Sequence, residues 1–100
     1  MNIVDYCEKV GVSVEDIKGR NRREVVVAAR HVWWYHLHIE YGYNHCEISR
    51  MSDRDHSTVH HGIHRVRDLI RLKDKFIGKY LEAIGIIYDS KYKMYILSIK

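Results

Sequence analysis

The residues best suited to chemistry lie between Asp53 and Arg71. Arg54, Asp55, His56, Ser57 and Thr58 form an unbroken polar run. Its side chains span the vocabulary of base-edge recognition. A guanidinium donates, a carboxylate accepts from a cytosine amino group, and hydroxyls do either. Four histidines, His56, His60, His61 and His64, follow at spacings of 4, 1 and 3. The pairs 56/60 and 60/64 stand one helical turn apart and could each offer two imidazoles to a metal ion. Zinc normally takes a third protein ligand, and spacing alone poises no cysteine or acid to supply it, so no metal is expected. There is no nucleophile–base set, no paired-carboxylate site and no Gly-rich Lys-Ser/Thr phosphate loop. A non-enzyme without ATPase activity and without a cofactor is therefore expected.

Cations supply the rest of the chemistry. The chain of 100 residues carries a formal charge of +4 with its 8 histidines neutral. That permits nucleic-acid binding without requiring it. The distribution is more informative. Lys18, Arg20, Arg22, Arg23 and Arg30 face the single acid Glu24, whereas the arginines after His45 are nearly balanced by acids. The positive field is thus concentrated before residue 30.

The polar run needs a scaffold, and the surrounding pattern provides one. Val59, Ile63, Val66 and Ile70 recur at helical steps, and Leu69 widens the stripe, so Asp53 to Ile70 reads as a helix with one apolar face. His45 to Met51 is a two-turn helix with Ile48 and Met51 facing inward, and Ser52-Asp53 is a turn. A short helix, a tight turn and a longer helix with a polar front have helix-turn-helix spacing. In such a unit the second helix places its N-terminal residues on base edges in the major groove. Upstream, Glu24 to Tyr41 has no breaker and is apolar around most of its girth, as a central helix is. Trp33 and Trp34 read as core there, because each has a large area to bury. Asn2 to Val10 is a short helix capped by Asn2 and stopped by Gly11, and Ser13 caps a one-turn helix ending at Gly19. Gly42-Tyr43-Asn44 is a turn.

The polar run also resembles a known motif. Arg54-Asp55-His56-Ser57-Thr58-Val59-His60-His61-Gly62 is similar to the signature of the C-terminal DNA-binding domain (domain IV) of the bacterial replication initiator DnaA. The likeness continues through Cys46-Glu47-Ile48, Arg22-Arg23-Glu24, Ala29-Arg30 and Gly11 to Gly19, and covers roughly residues 2 to 72. It implies an all-α fold: a small helical bundle with a helix-turn-helix, Trp-repressor-like and DnaA domain IV-like, followed by a C-terminal tail of unsettled structure. It implies double-stranded DNA as the partner, initiator or replisome proteins as further candidates, and a role in replication or transcription control. By the resemblance, Arg22, with Arg23 one place away, enters a minor groove. Asp55, His56 and Ser57 meet base edges. Arg54, Thr58 and His61 meet phosphates, as does the helix start at Cys46. On charge alone, Arg30 and Arg65 are expected on phosphates as well, beside Arg22, Arg23 and Arg54. Three departures bear on the target sequence. Ser52-Asp53 replaces a glycine pair, the turn is one residue shorter, and Cys46 replaces a proline. Asp53 also supports a rival reading, a protein-interaction module that keeps the fold and has lost DNA binding.

Composition bounds the remainder. Apolar residues make up 46% and charged residues 30%, a globular balance. The division expected is a DNA-binding domain over 1–73 and an extension over 74–100. No apolar run is long enough to span a membrane, and the N-terminus has no signal pattern, so a cytoplasmic protein with no membrane partner is expected. Cys7 and Cys46 read as free thiols. In the extension, Phe76, Tyr80, Ala83 and Ile87 suggest a helix. Beyond it, Asp89-Ser90-Lys91 could turn a hairpin, with Tyr92, Met94, Ile96 and Ser98 alternating in a strand, or Tyr92, Tyr95 and Ile96 could line another helix.

Overall fold

The computed structural model describes residues 1–97, so Ser98 of the alternating set lies outside the described residues. Helix α1 spans Ile3–Val10, α2 Val14–Lys18, α3 Glu24–Tyr41, α4 His45–Ser52, α5 His56–Arg71 and α6 Gly78–Ala83; strands β1 Ile86–Asp89 and β2 Met94–Leu97 follow. Local chemistry sets most boundaries. The Asn2 and Ser13 side chains accept from the backbone N–H of Asp5 and Asp16, satisfying first-turn amides of α1 and α2. Asn44 and Glu47 form a reciprocal capping box at the start of α4. Gly11 and Gly42 end α1 and α3 in the left-handed region.

The turn of the helix-turn-helix is tighter than its sequence suggests. Helix α4 runs on through Ser52, and Asp53 alone reverses the chain at φ 51°. Aspartate tolerates this region better than most residues, so it can stand where the resembled motif uses glycine. That conformation excludes Asp53 from α5, which therefore begins at His56 rather than at Asp53.

Helix α3 is the axis of the core. Val26, Ala29, Val32 and Trp34 are at most 2% exposed, and α5 lies against them through Val59, Ile63 and Val66. The approach of the two helices is close at Gly62, where an added Cβ would lie 2.8 Å from the His31 ring and 2.9 Å from the Trp34 ring. Trp33 and Trp34 are core, as their size demands. Met51 is not: it is exposed, and Ile48 alone of that pair turns inward.

The C-terminal segment changes the fold class. The molecule is mainly helical but not strictly all-α, because β1 and β2 pair antiparallel, with Ile86 opposite Leu97 and Asp89 opposite Met94. Asp89 makes the hairpin turn by accepting from the backbone N–H groups of Lys91 and Tyr92. Helix α6 stops at Ala83 because Gly85 takes φ 90°, which diverts Ile87 from the expected helix into β1. Ile77, Tyr80 and Leu81 are at most 1% exposed and complete the same core that α1 and α3 line. Tyr95 anchors the hairpin by donating to the Asp74 carbonyl. No helix among the described residues is long and apolar enough to cross a membrane.

Candidate nucleic-acid interface

The loop from Arg20 to Arg23 has no regular structure, yet it is firmly held. Buried Arg30 of α3 reaches back under it. Its Nε donates to the Ile17 carbonyl at 2.9 Å, and its Nη2 donates to Asp16 and Asn21 carbonyls at 2.7 and 3.0 Å. Arg54, in the turn before α5, grips the same segment from the other side through the Gly19 carbonyl, and its Nη1 donates to Ser52. The two guanidiniums therefore tie the basic loop to the front of α5. Both were expected on phosphates; in the structure both bond to carbonyls, because loop carbonyls that leave water need donors.

These bonds satisfy hydrogen-bonding capacity but neutralise no charge. Burial, then the nearby Arg54, pushes the Arg30 pKa below its ordinary value, with Arg20 adding to this and Asp16 opposing it. Burial, then Arg20, does the same to Arg54 against the pull of Asp53. Guanidiniums remain protonated at neutral pH even so. The cluster thus holds mutually repelling positive charge around an open cavity of about 740 Å³. Arg20, Arg22, Arg50, Asp55 and Thr58 line it together with the two clamps. Its size and charge suit an anion such as a phosphate group.

Helix α5 presents its first turn beside this cavity. Asp55, His56, Ser57 and Thr58 are all exposed, while Val59 behind them is fully buried. Asp55 occupies the N-cap position but makes no side-chain capping bond, so its carboxylate is not committed to the helix start. One and two turns on, His61 and Arg65 line a second, partly apolar cavity of about 380 Å³. Arg22 lines both cavities. It has no acidic partner among the described residues, whereas Arg23 lies 3.6 Å from Asp16. Cys46 is an exposed thiol on the opposite flank, where it lines a shallow depression with His45 and His56.

The fold thus brings Arg22, Arg30, Arg54, Asp55 and Thr58 to one cavity and Arg22, His61 and Arg65 to the next, while Ser57 is exposed on the first turn of α5 and His56 lies on the depression that Cys46 lines. Sequence reasoning counted Arg20 and Arg50 as charge but assigned them no place in the site. Arg50 lies on the outer side of α4, one residue after buried Ser49, and its helical offset from Ile48 was a usable signal. Arg20 had none, because a loop has no period.

The profile of a family described as bacterial dnaA protein helix-turn-helix matches residues 2–66. The chain is similar to the chromosomal replication initiator protein DnaA of Thermomicrobium roseum, at 31% identity over 83% of this chain and 18% of that protein. It is also similar to the proteins of the same name from Kosmotoga olearia, at 39% identity over 57% of this chain and 13% of that protein, and from Pseudothermotoga lettingae, at 33% over 79% and 18%. The chain therefore spans under a fifth of the length of these relatives. No solved structure gives a significant match.

Proposed function

The chain belongs to the bacterial DnaA protein helix-turn-helix family, and from that premise we propose that it binds double-stranded DNA in a sequence-dependent manner and acts in the control of replication or transcription. The observation that carries this reading is the adjacency of an exposed polar helix front to a clamped arginine loop, with Arg22 lining the cavities on both sides. In this reading α5 enters a major groove. Asp55, His56 and Ser57 meet base edges there. Thr58, His61 and Arg65 follow one phosphate strand, and the N-terminus of α4 at Cys46 approaches the other. Arg22 enters the neighbouring minor groove, where a narrow A·T-rich segment concentrates negative potential. Arg23, partly engaged by Asp16, adds charge at its rim. Arg30 and Arg54 act as positioning residues that also contribute to the field of the trough.

The departures from the motif bear on which sequence is read. Asp53 adds a carboxylate to the wall of the arginine-lined cavity. Arg50 on the same wall offsets it. Selection from random duplexes gives the preferred site. Fluorescence anisotropy on that site across a salt series then tests the mode of binding. With several phosphates contacted, log affinity falls against log salt with a slope of about −0.9 per contact. A salt-independent interaction, or none with duplex DNA at about 50 mM salt, overturns the reading in favour of the protein-interaction module.

A further inference from the structure

Buried Arg30 keeps donors in reserve. A guanidinium holds five N–H groups in a fixed fork. One on Nε and two on Nη2 are spent on the carbonyls of Ile17, Asp16 and Asn21. The two on Nη1 meet no acceptor among the described residues, and Nη1 is not a fully enclosed orphan there, as His36 Nε2 is. Arg30 is only 6% exposed, yet it lines the arginine cavity. Nη1 is thus the donor that it turns to the cavity floor. A charged donor held at that depth calls for an anion, because burying it unpaired costs free energy.

The rim repeats the demand. Arg20, Arg22 and Arg50 are exposed there, and none of them has an acidic partner among the described residues. With Arg30 and Arg54, five guanidiniums stand against the carboxylates of Asp53 and Asp55, a net charge of +3 on the lining. An anion relieves the repulsion that, after burial, lowers the Arg30 and Arg54 pKa values. Duplex DNA does not fill such a cavity. Its phosphates are diesters with a sugar on each side, and they follow one another every ~3.4 Å of helix axis along a strand. A diester meets the rim, whereas the floor is reached by a phosphoryl group at a chain end. At about 740 Å³ the cavity lies in the size range of small-ligand sites and has room for linked phosphates.

We propose that the arginine cavity binds a compact, chain-ended polyphosphate, inorganic or the phosphate tail of a nucleotide, with its terminal phosphoryl group on Arg30 Nη1 and the remainder among Arg20, Arg50 and Arg54. The occupant neutralises guanidiniums whose charge the duplex also uses, so it competes with DNA. Binding of the polyphosphate stands by itself; the competition rests on the function proposed above.

The test is calorimetric titration of the intact chain with pyrophosphate and with trimetaphosphate at pH 7.5. Trimetaphosphate is cyclic: its charge is similar, but every phosphate in it is a diester. One pyrophosphate per chain is expected, with trimetaphosphate about tenfold weaker, the loss of a charge-assisted hydrogen bond. Arg20→Gln and Arg50→Gln should each weaken pyrophosphate about fivefold, since a rim charge is partly screened. Arg67→Gln, on α5 and outside the cavity, should leave it unchanged. All three side chains are exposed, so circular dichroism should show the variants folded. Equal affinity for the two anions overturns the floor site in favour of a diffuse cationic patch, as does an equal loss in all three variants. No binding at about 1 mM pyrophosphate overturns the site altogether. ATP titrated in parallel distinguishes the sources: tighter binding than pyrophosphate assigns the site to a nucleotide, and equal or weaker binding assigns it to the phosphate chain alone. Anisotropy on the selected duplex tests the competition. Pyrophosphate should release the duplex where sodium chloride of the same ionic strength does not. Release matched by salt overturns the competition. Absence of any duplex binding overturns the proposed function and the competition with it, while calorimetry still reports the site.

Discussion

At the residue scale, His31 shows how position converts a common side chain into a sensor. It lies beneath α5, its ring 5.5 Å from that of Trp34. Burial first, then Arg30, His61 and Arg65, lowers its pKa from 6.5 to about 4. The unfolded chain takes up this proton near pH 6.5, while the folded chain resists it until about pH 4. Acid therefore favours the unfolded state across that window. Stability should fall as pH drops from 6.5 to 4, by a contribution of the order of 3 kcal/mol at the low end. Urea unfolding at several pH values measures this, and His31→Gln should flatten the same part of the profile; an unchanged profile would assign the acid sensitivity elsewhere. His36, buried with Nε2 unpartnered among the described residues, is lowered in the same direction by burial, although Glu40 opposes the shift, and adds to the effect. The reading residues behave differently because they are exposed. His56→Ala or Ser57→Ala should reduce affinity for the selected site by about 1–3 kcal/mol and leave scrambled duplex nearly unaffected. Arg22→Ala should cost most where the flank is A·T-rich. Competition among the selected, scrambled and flank-swapped duplexes resolves the three effects. Equal losses on all three would mean that the signature grips without reading.

At the scale of elements, α5 does two tasks with opposite faces, and the spacing between α3 and α5 sets how far its front projects. Gly62 allows the close approach. A valine there would drive its Cβ into the His31 and Trp34 rings, which the core holds in place. Overpacking of that kind costs about 1–3 kcal/mol. Gly62→Val should therefore lower the urea midpoint and weaken DNA binding together, because the helix front shifts with the packing. Normal stability in this variant would show that α3 and α5 can separate without penalty. The arginine clamps act at the same scale. They join three elements, α2, the basic loop and the turn before α5, through carbonyls that no regular structure satisfies.

At the scale of the whole molecule, residues 74–97 belong energetically with the rest. Leu81 is fully buried, and α6 packs against both α1 and α3. Leu81→Ala should cost about 2–5 kcal/mol, as large-to-small changes in cores do. The loss should appear in one cooperative transition, with fluorescence of Trp33 and Trp34 in α3 and far-ultraviolet dichroism coincident. Two separate transitions would instead make the C-terminal segment an independent unit. This dependence explains why a segment beyond the family match is still needed to close the core beside α1.

Much of this was legible in the chain itself. Helix starts and stops are local events, decided by Asn2, Ser13, Asn44, Gly11 and Gly42 within a few residues of where they act. The buried stripe of α5 follows from period alone, and the polar front from residue type. The hairpin was not decided in the same way. Short apolar runs such as Ile86-Ile87-Tyr88 and Met94-Tyr95-Ile96 fit either period, and only pairing with a partner strand and docking of Tyr95 on Asp74 make one choice favourable. Arg30 likewise looked like one more cation of the positive field, on the central helix. Its task as a clamp depends on where Asp16, Ile17 and Asn21 place their carbonyls. His45 and His60 are 15 positions apart in the chain, and nothing in their spacing announces a 2.9 Å contact. Local hydrogen bonds and periodicity are encoded within a few residues, whereas encounters between distant elements exist only once a core has brought them together.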